Sequence, residues 1–307
     1  GKVSIGVIVI FVEYSRQFTR PLNDLANQFN TLLSAVAGAE RVFEILDESQ
    51  EEMDETGATE LSAVKGKVEF RDVSFSYEKD EKTVSDLSFS VNEGETVALV
   101  GPTGAGKTTI VNLLSRFYES DSGQILIDGH DIKKVKRSSL RSHMGFVLQD
   151  SFLFEGTILE NIRYGRLNAT DEEVVNAAKL ANAHSFVQKL PKGYKTILNQ
   201  EGSGISQGQK QLLSIARAIL ADPSLLILDE ATSSIDTITE MKIQEALQRL
   251  MQGRTSFVIA HRLNTIQQAD QILVLHDGGI LEKGTHEELL KNKKFYHSLY
   301  HSQLKQD

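Results

Sequence analysis

The stretch ETVALVGPTGAGKTT, residues 95–109, restricts what this chain can fold into more than any other. Its first half is a short, almost continuous apolar run, the pattern of a strand buried on both faces of a sheet. Its second half fits G-x-x-x-x-G-K-[ST] at every position, through Gly101, Pro102, Thr103, Gly104, Ala105, Gly106, Lys107 and Thr108, with Thr109 following. A helix is expected from Lys107 to Tyr118. A strand that turns through glycines into a helix aims backbone amides and the positive end of the helix at one point, a cradle for a polyphosphate. Lys107 is expected to hold the outer phosphates and the Thr108 hydroxyl to ligate a magnesium ion. The plain alternative is a glycine-rich strand-to-helix turn with no ligand, and pattern and context together argue against it.

Other segments supply the rest of a sheet. LLILD, 225–229, and TSFVIA, 255–260, read as further buried strands, with helices around 206–220 and 237–251. Strands alternating with helices imply a parallel sheet covered by helices on both sides. KVEFRDVSFSY, 67–77, and TVSDLSFSV, 83–91, alternate apolar with polar residues around the charged turn EKDEK, so they read as antiparallel strands. Asp229, at the end of LLILD, is placed to support the magnesium through water if its strand neighbours the one before the glycine-rich loop. Glu230 follows, and strand alternation points it elsewhere, which suits a group that polarises an attacking water.

The first residues, GKVSIGVIVIFV, are nearly all apolar, yet ten or so such residues fall short of the ~20 that span a bilayer. Only Lys2 could serve as the charged start of a signal peptide and no small-residue cleavage site follows, which leaves two readings: a buried core helix, or the tail of a membrane helix that begins outside this chain. From Tyr14 to Leu46 apolar residues recur at helical spacing, so 1–46 reads as a long helix with a bend expected at Pro21. DESQEEMDETGATE, 47–60, loses the periodicity and is rich in acids, which marks a linker running to about residue 65. The absence of cysteine excludes disulfides, thiolate metal sites and thiol catalysis. With 33 basic against 42 acidic residues, the net charge of -9 argues against a nucleic-acid partner. KKVKR, 133–137, is the main basic cluster and reads as a solvated face.

Taken together, these motifs resemble the nucleotide-binding domain of an ATP-binding cassette (ABC) transporter, specifically an exporter-type half-transporter, over essentially the whole chain. Four more motifs stand in that family's order: Tyr77 in VSFSY as the aromatic residue that stacks on adenine, Gln149 in FVLQD as the Q-loop residue, SSID at 233–236 as the D-loop, and His261 in IAHRL as the switch histidine. The resemblance implies an α/β P-loop cassette at 66–307. It combines a parallel core sheet, an antiparallel β subdomain and a helical subdomain at about 150–220. Its ligands would be ATP and Mg2+. Glu230, His261, Gln149 and Lys107 would be the catalytic set, and Thr108, Gln149 and Asp229 the metal contacts. Glu201 resembles the acidic X-loop residue that faces the coupling helices. Residues 1–46 would be the cytoplasmic end of the last transmembrane helix and its extension, and the chain a fragment lacking nearly all of the permease domain. The implied setting is the cytoplasmic side of a prokaryotic inner membrane. The implied partners are the chain's own membrane domain and a second half-transporter.

That second subunit explains EGSGISQGQKQLLS, 201–214. In the family a signature loop, usually LSGGQ, faces the ATP bound to the opposite subunit. Here it reads ISQGQ. Ser206, Gly208 and Gln209 are kept, while Gln207 replaces the first glycine, where a side chain would crowd the γ-phosphate or restrict the backbone. Intact catalytic residues beside an altered signature resemble one half of a heterodimeric exporter, with a homodimer as the alternative. A soluble ABC ATPase of the DNA-repair or translation type should lack the membrane-helix tail. A non-catalytic nucleotide-binding regulator would commonly lose the base or the switch residue, and both are present.

Overall fold

A computed structural model describes residues 4–48, 51, 53–78, 83–148, 151–199, 204–229, 235–260 and 263–303. The chain divides into two compact units, 1–53 and 54–307.

The first unit is one helix, Ile5–Leu46, capped by Ser4, whose side chain accepts from the Val7 amide. At ~1.5 Å per residue its 42 residues extend roughly 63 Å. Pro21 lies inside it and the helix continues on both sides. The helix buries none of its residues, and the stripe Leu22, Leu25, Phe29, Leu32, Leu33 and Val36 is more than half exposed. Among the described residues no helix is long and apolar enough to cross a membrane.

The second unit is built on a six-stranded sheet in the order Gly279–Gly284, Gln271–His276, Thr96–Val100, Thr255–Ile259, Leu225–Asp229 and Met144–Val147. Only the first of these is antiparallel to its neighbour. The central strands are mostly apolar because both faces are buried and successive side chains point to opposite sides. Val97, Leu99, Leu225, Ile227, Phe257 and Ile259 enter one core, with the helix Lys107–Leu114. Ala98, Val100, Leu226, Leu228 and Val258 enter the other, with the helices Gln207–Ala221 and Thr237–Met251.

A four-stranded antiparallel sheet, Val84–Val91, Val68–Phe75, Ser122–Ile127 and His130–Asp131, lies against the first core. The two strands expected around EKDEK pair as the alternation predicts, with Phe70 opposite Phe89 and the rings stacked 4.5 Å apart.

Part of the acidic stretch belongs to this unit. Leu61 is buried, its amide donates to Ser139 Oγ at 2.8 Å, and Thr59 exchanges backbone bonds with Lys134 and Lys136. Asp54 accepts from Arg116 Nη1 at 3.2 Å and from the Arg137 amide at 3.2 Å, while Glu119 accepts from Arg137 Nη2 at 2.7 Å. Arg116 and Arg137 are themselves buried. The basic run is therefore not simply a solvated face: Lys133 donates to the Ser120 carbonyl, Lys136 pairs with Glu60, and Arg137 is enclosed by carboxylates.

Candidate nucleotide site

Parallel sheets bind ligands beyond the carboxyl ends of their strands, because there the chain turns and helix amino termini converge. Leu99, Ile259 and Asp229 form one row across three neighbouring strands at that edge. Immediately above lies a cavity of about 450 Å³ lined by Thr103, Gly104, Gly106, Lys107, Thr108, Asp229 and, at its rim, Tyr77. The strand of Asp229 does not neighbour the one before the glycine-rich loop, the condition set for Asp229: Thr255–Ile259 lies between them, so the two are roughly 10 Å apart at the backbone. Asp229 nevertheless lines the same cavity as Lys107, because all three strands end at one level.

The loop's shape depends on its glycines. Gly106, at φ 98°, is the N-cap of Lys107–Leu114, and a Cβ there would meet Val84 Cγ1 at 2.7 Å. A Cβ on Gly101 would lie 2.3 Å from the Leu275 carbonyl oxygen. Lys107 folds back over the loop, its Nζ donating to the Gly101 and Pro102 carbonyls at 2.8 and 2.9 Å. Partial burial pulls its pKa down, and the Asp229 carboxylate opposes that shift. A polyphosphate entering the cavity would give the ammonium a closer anionic partner.

Tyr77 is fixed from the helix that the loop initiates. Its hydroxyl accepts from Asn112 Nδ2 at 3.2 Å and lies 3.4 Å from Thr109 Oγ1. Phase-setting contacts come from Phe75 and Tyr118, edge to face at 4.8 and 4.9 Å. The ring remains about half exposed.

Ser206–Gln209 do not line this cavity. They begin a different helix, Gln207–Ala221, through a capping box: Ser206 Oγ accepts from the Gln209 amide at 3.3 Å, and Gln209 Oε1 accepts from the Ser206 amide at 3.0 Å. Gly208 is buried, and a Cβ on it would lie 2.4 Å from Thr239 Cγ2. Gln207 is the first helical residue and exposed, without a positive φ. Its backbone therefore carries none of the restriction expected for replacing a glycine there.

The ABC transporter family profile matches residues 84–233. An uncharacterized ABC transporter ATP-binding protein of Bacillus subtilis (strain 168), YfiC, is 68% identical over 99% of this chain and 50% of its own length. The fatty acid ABC transporter ATP-binding/permease protein of Mycobacterium bovis is 54% identical, covering 97% of this chain and 47% of its own length. Among solved structures, a bacterial Atm1-family ABC exporter with ATP bound matches with a TM-score of 0.79 at 41% identity, covering 99% of this chain and 53% of that one. This chain belongs to the ABC transporter family. It spans about half the length of these relatives.

Of the cassette residues expected to act on nucleotide, Gln149, Glu230 and His261 lie outside the described residues, as do Glu201 and the two serines of SSID. The cassette's Asp236 is described: it caps Thr237–Met251, accepting from the Thr239 amide at 2.9 Å, and those amide bonds lower its pKa. Sequence reasoning missed Asn112, Tyr118 and Thr83. Thr83 lines the cavity, and Asn112 and Tyr118 set the ring of Tyr77. One signal was present, since Asn112 lies five residues beyond Lys107 on a helix whose other face is apolar, but nothing local connects it to position 77.

Proposed function

We propose that this ABC cassette is the motor of an exporter: it binds ATP with magnesium, closes on a second cassette and hydrolyses the nucleotide to drive transport out across the membrane. The observation that carries the reading is the cavity at the carboxyl edge of the sheet, where the loop 101–106, Lys107, Thr108 and Asp229 meet beside an exposed aromatic ring. Tyr77 would stack on adenine, the loop amides and Lys107 would take the phosphates, and Thr108 with Asp229, through water, would hold magnesium. The donors suit that ion: one hydroxyl and one carboxylate, completed by phosphate and water oxygens, make the hard oxygen set magnesium prefers. Bound there, magnesium would neutralise charge on the outer phosphates.

The remaining roles rest on the motifs. Glu230 would polarise the attacking water, Gln149 would touch metal and water, and His261 would steady the terminal phosphate. Glu230→Gln is expected to keep ATP binding and dimer closure, read as mass by light scattering, while hydrolysis falls roughly 10²–10⁴-fold. Undiminished hydrolysis in the assembled transporter would sink the assignment.

Ser206, Gln207, Gly208 and Gln209 would face ATP held by the partner's P-loop, a reading supported by their absence from this chain's own phosphate cavity. The altered signature favours a heterodimer in which the partner contributes an intact LSGGQ. Magnesium-dependent ATPase activity of the full-length subunit alone, compared with Gln207→Gly, tests this. A silent wild type that the variant awakens supports the heterodimer, and brisk turnover by the wild type identifies a homodimer. The fatty acid relative supports a hydrophobic or amphipathic cargo. The cassette would work on the cytoplasmic side of the inner membrane, joined to its own membrane domain.

A further inference from the structure

The helix Phe295–Gln303 carries two histidines that the nucleotide chemistry does not use. His297 and His301 are four residues apart, so they project from one face, one turn above the other. Their Nε2 atoms lie 3.1 Å apart, with ring centroids at 4.3 Å and planes inclined by 61°. In the metal-free chain this separation is a hydrogen bond, one ring donating and the other accepting.

The same separation is also a chelating bite. Zinc binds imidazole nitrogen at ~2.0–2.1 Å. An ion at that distance from both Nε2 atoms would see them at roughly 98°, between the right angles of tetragonal copper or octahedral nickel and the tetrahedral angle of zinc. Little rearrangement separates the hydrogen-bonded pair from a chelate. His301 is exposed and His297 half-buried, which leaves the other coordination positions open to water. Among the described residues no group of three or more histidine, cysteine, aspartate or glutamate side chains is placed to hold a metal, so of these the pair itself would supply the protein ligands.

We propose that His297 and His301 form a bidentate site for a borderline divalent transition ion, Zn2+, Ni2+ or Cu2+, separate from the magnesium of the nucleotide. Two neutral imidazoles suit these ions and not magnesium, which prefers oxygen. The helix is already anchored at its start: Tyr296 is fully buried, its amide donates to Glu282 Oε1 at 2.9 Å, and its hydroxyl lies 2.7 Å from His286 Nδ1. A metal clip across His297 and His301 tightens the turn beyond that anchor.

The test is calorimetric titration of the 307-residue chain with ZnCl2, purified without a polyhistidine tag, with MgCl2 as control. Imidazole 1H–15N spectra identify the nitrogens engaged. One Zn2+ per chain is expected, with the Nε2 signals of His297 and His301 shifting together and no heat from Mg2+. His297→Asn and His301→Asn should each weaken binding at least tenfold, whereas His130→Asn, an exposed histidine elsewhere, should not. Far-UV circular dichroism of each variant separates lost ligation from lost fold. Absence of a saturable site in the wild type, or full affinity in the double variant, overturns the proposal.

Discussion

At position 208 a single missing side chain lets two helices meet. The 2.4 Å that would separate a Cβ from Thr239 Cγ2 leaves no room for a methyl group. Gly208→Ala is expected to lower unfolding stability by about 1–3 kcal/mol, seen as a reduced urea midpoint, because the start of one helix must move from the other. Asn112 acts by holding a neighbour. With its amide removed, the Tyr77 hydroxyl keeps only the longer approach to Thr109, and the ring is less well oriented. Asn112→Ala should weaken binding of a fluorescent ATP analogue severalfold with little change in stability, and Tyr77→Ala should weaken it more. Equal affinity in wild type and Asn112→Ala would show that Phe75 and Tyr118 suffice to hold the ring. The glycine-rich loop was legible because all its requirements are local: glycines, a lysine and a hydroxyl within nine residues, between a buried strand and a helix. The Asn112 contact was not, because it joins residues 35 apart in sequence.

Among the elements, one helix start is written in a local pattern. Ser206 three residues before Gln209, ahead of an apolar run, marks the start of Gln207–Ala221. Ser206→Ala is expected to cost about 0.5–2 kcal/mol, measured by denaturant unfolding, since the Gln209 amide loses its partner. The segment from Asp54 to Gly66 differs in kind. Acid-rich and aperiodic, it reads as linker, yet Asp54 is clasped by arginines 62 and 83 residues away. No periodicity announces such a contact, and the basic run that supplies Arg137 looks like a solvated face until its carboxylates are brought to it. Asp54→Ala should destabilise the cassette by about 1–3 kcal/mol in urea, because two buried guanidinium groups lose a charged acceptor that both share, although Glu119 stays close to each. A midpoint equal to wild type would show the clasp to be energetically idle.

Across the whole molecule, burial of tyrosine hydroxyls sets an alkaline limit. Burial pushes Tyr194 up to about 12 and moves Tyr296 in the same direction. The folded state thus keeps a proton that the unfolded chain releases near pH ~10. This contribution is fully present below that pH and is lost as pH rises toward about 12. The urea midpoint of wild type should therefore fall between pH 9 and 11.5, and Tyr194→Phe should flatten part of the fall; parallel curves would refute the assignment. The sequence by itself determined many of the elements: buried strands from continuous apolar runs, the antiparallel pair from alternation, and the glycine-rich loop from a pattern a few residues long. Tertiary structure alone decided which elements meet. It inserted Thr255–Ile259 between the two strands that face the cavity, brought Asn112 under Tyr77, and enclosed Arg116 and Arg137 with Asp54. The physical reason is range: backbone periodicity and capping act within a turn or a strand, whereas strand order and ion pairing are settled by which distant surfaces bury together most completely.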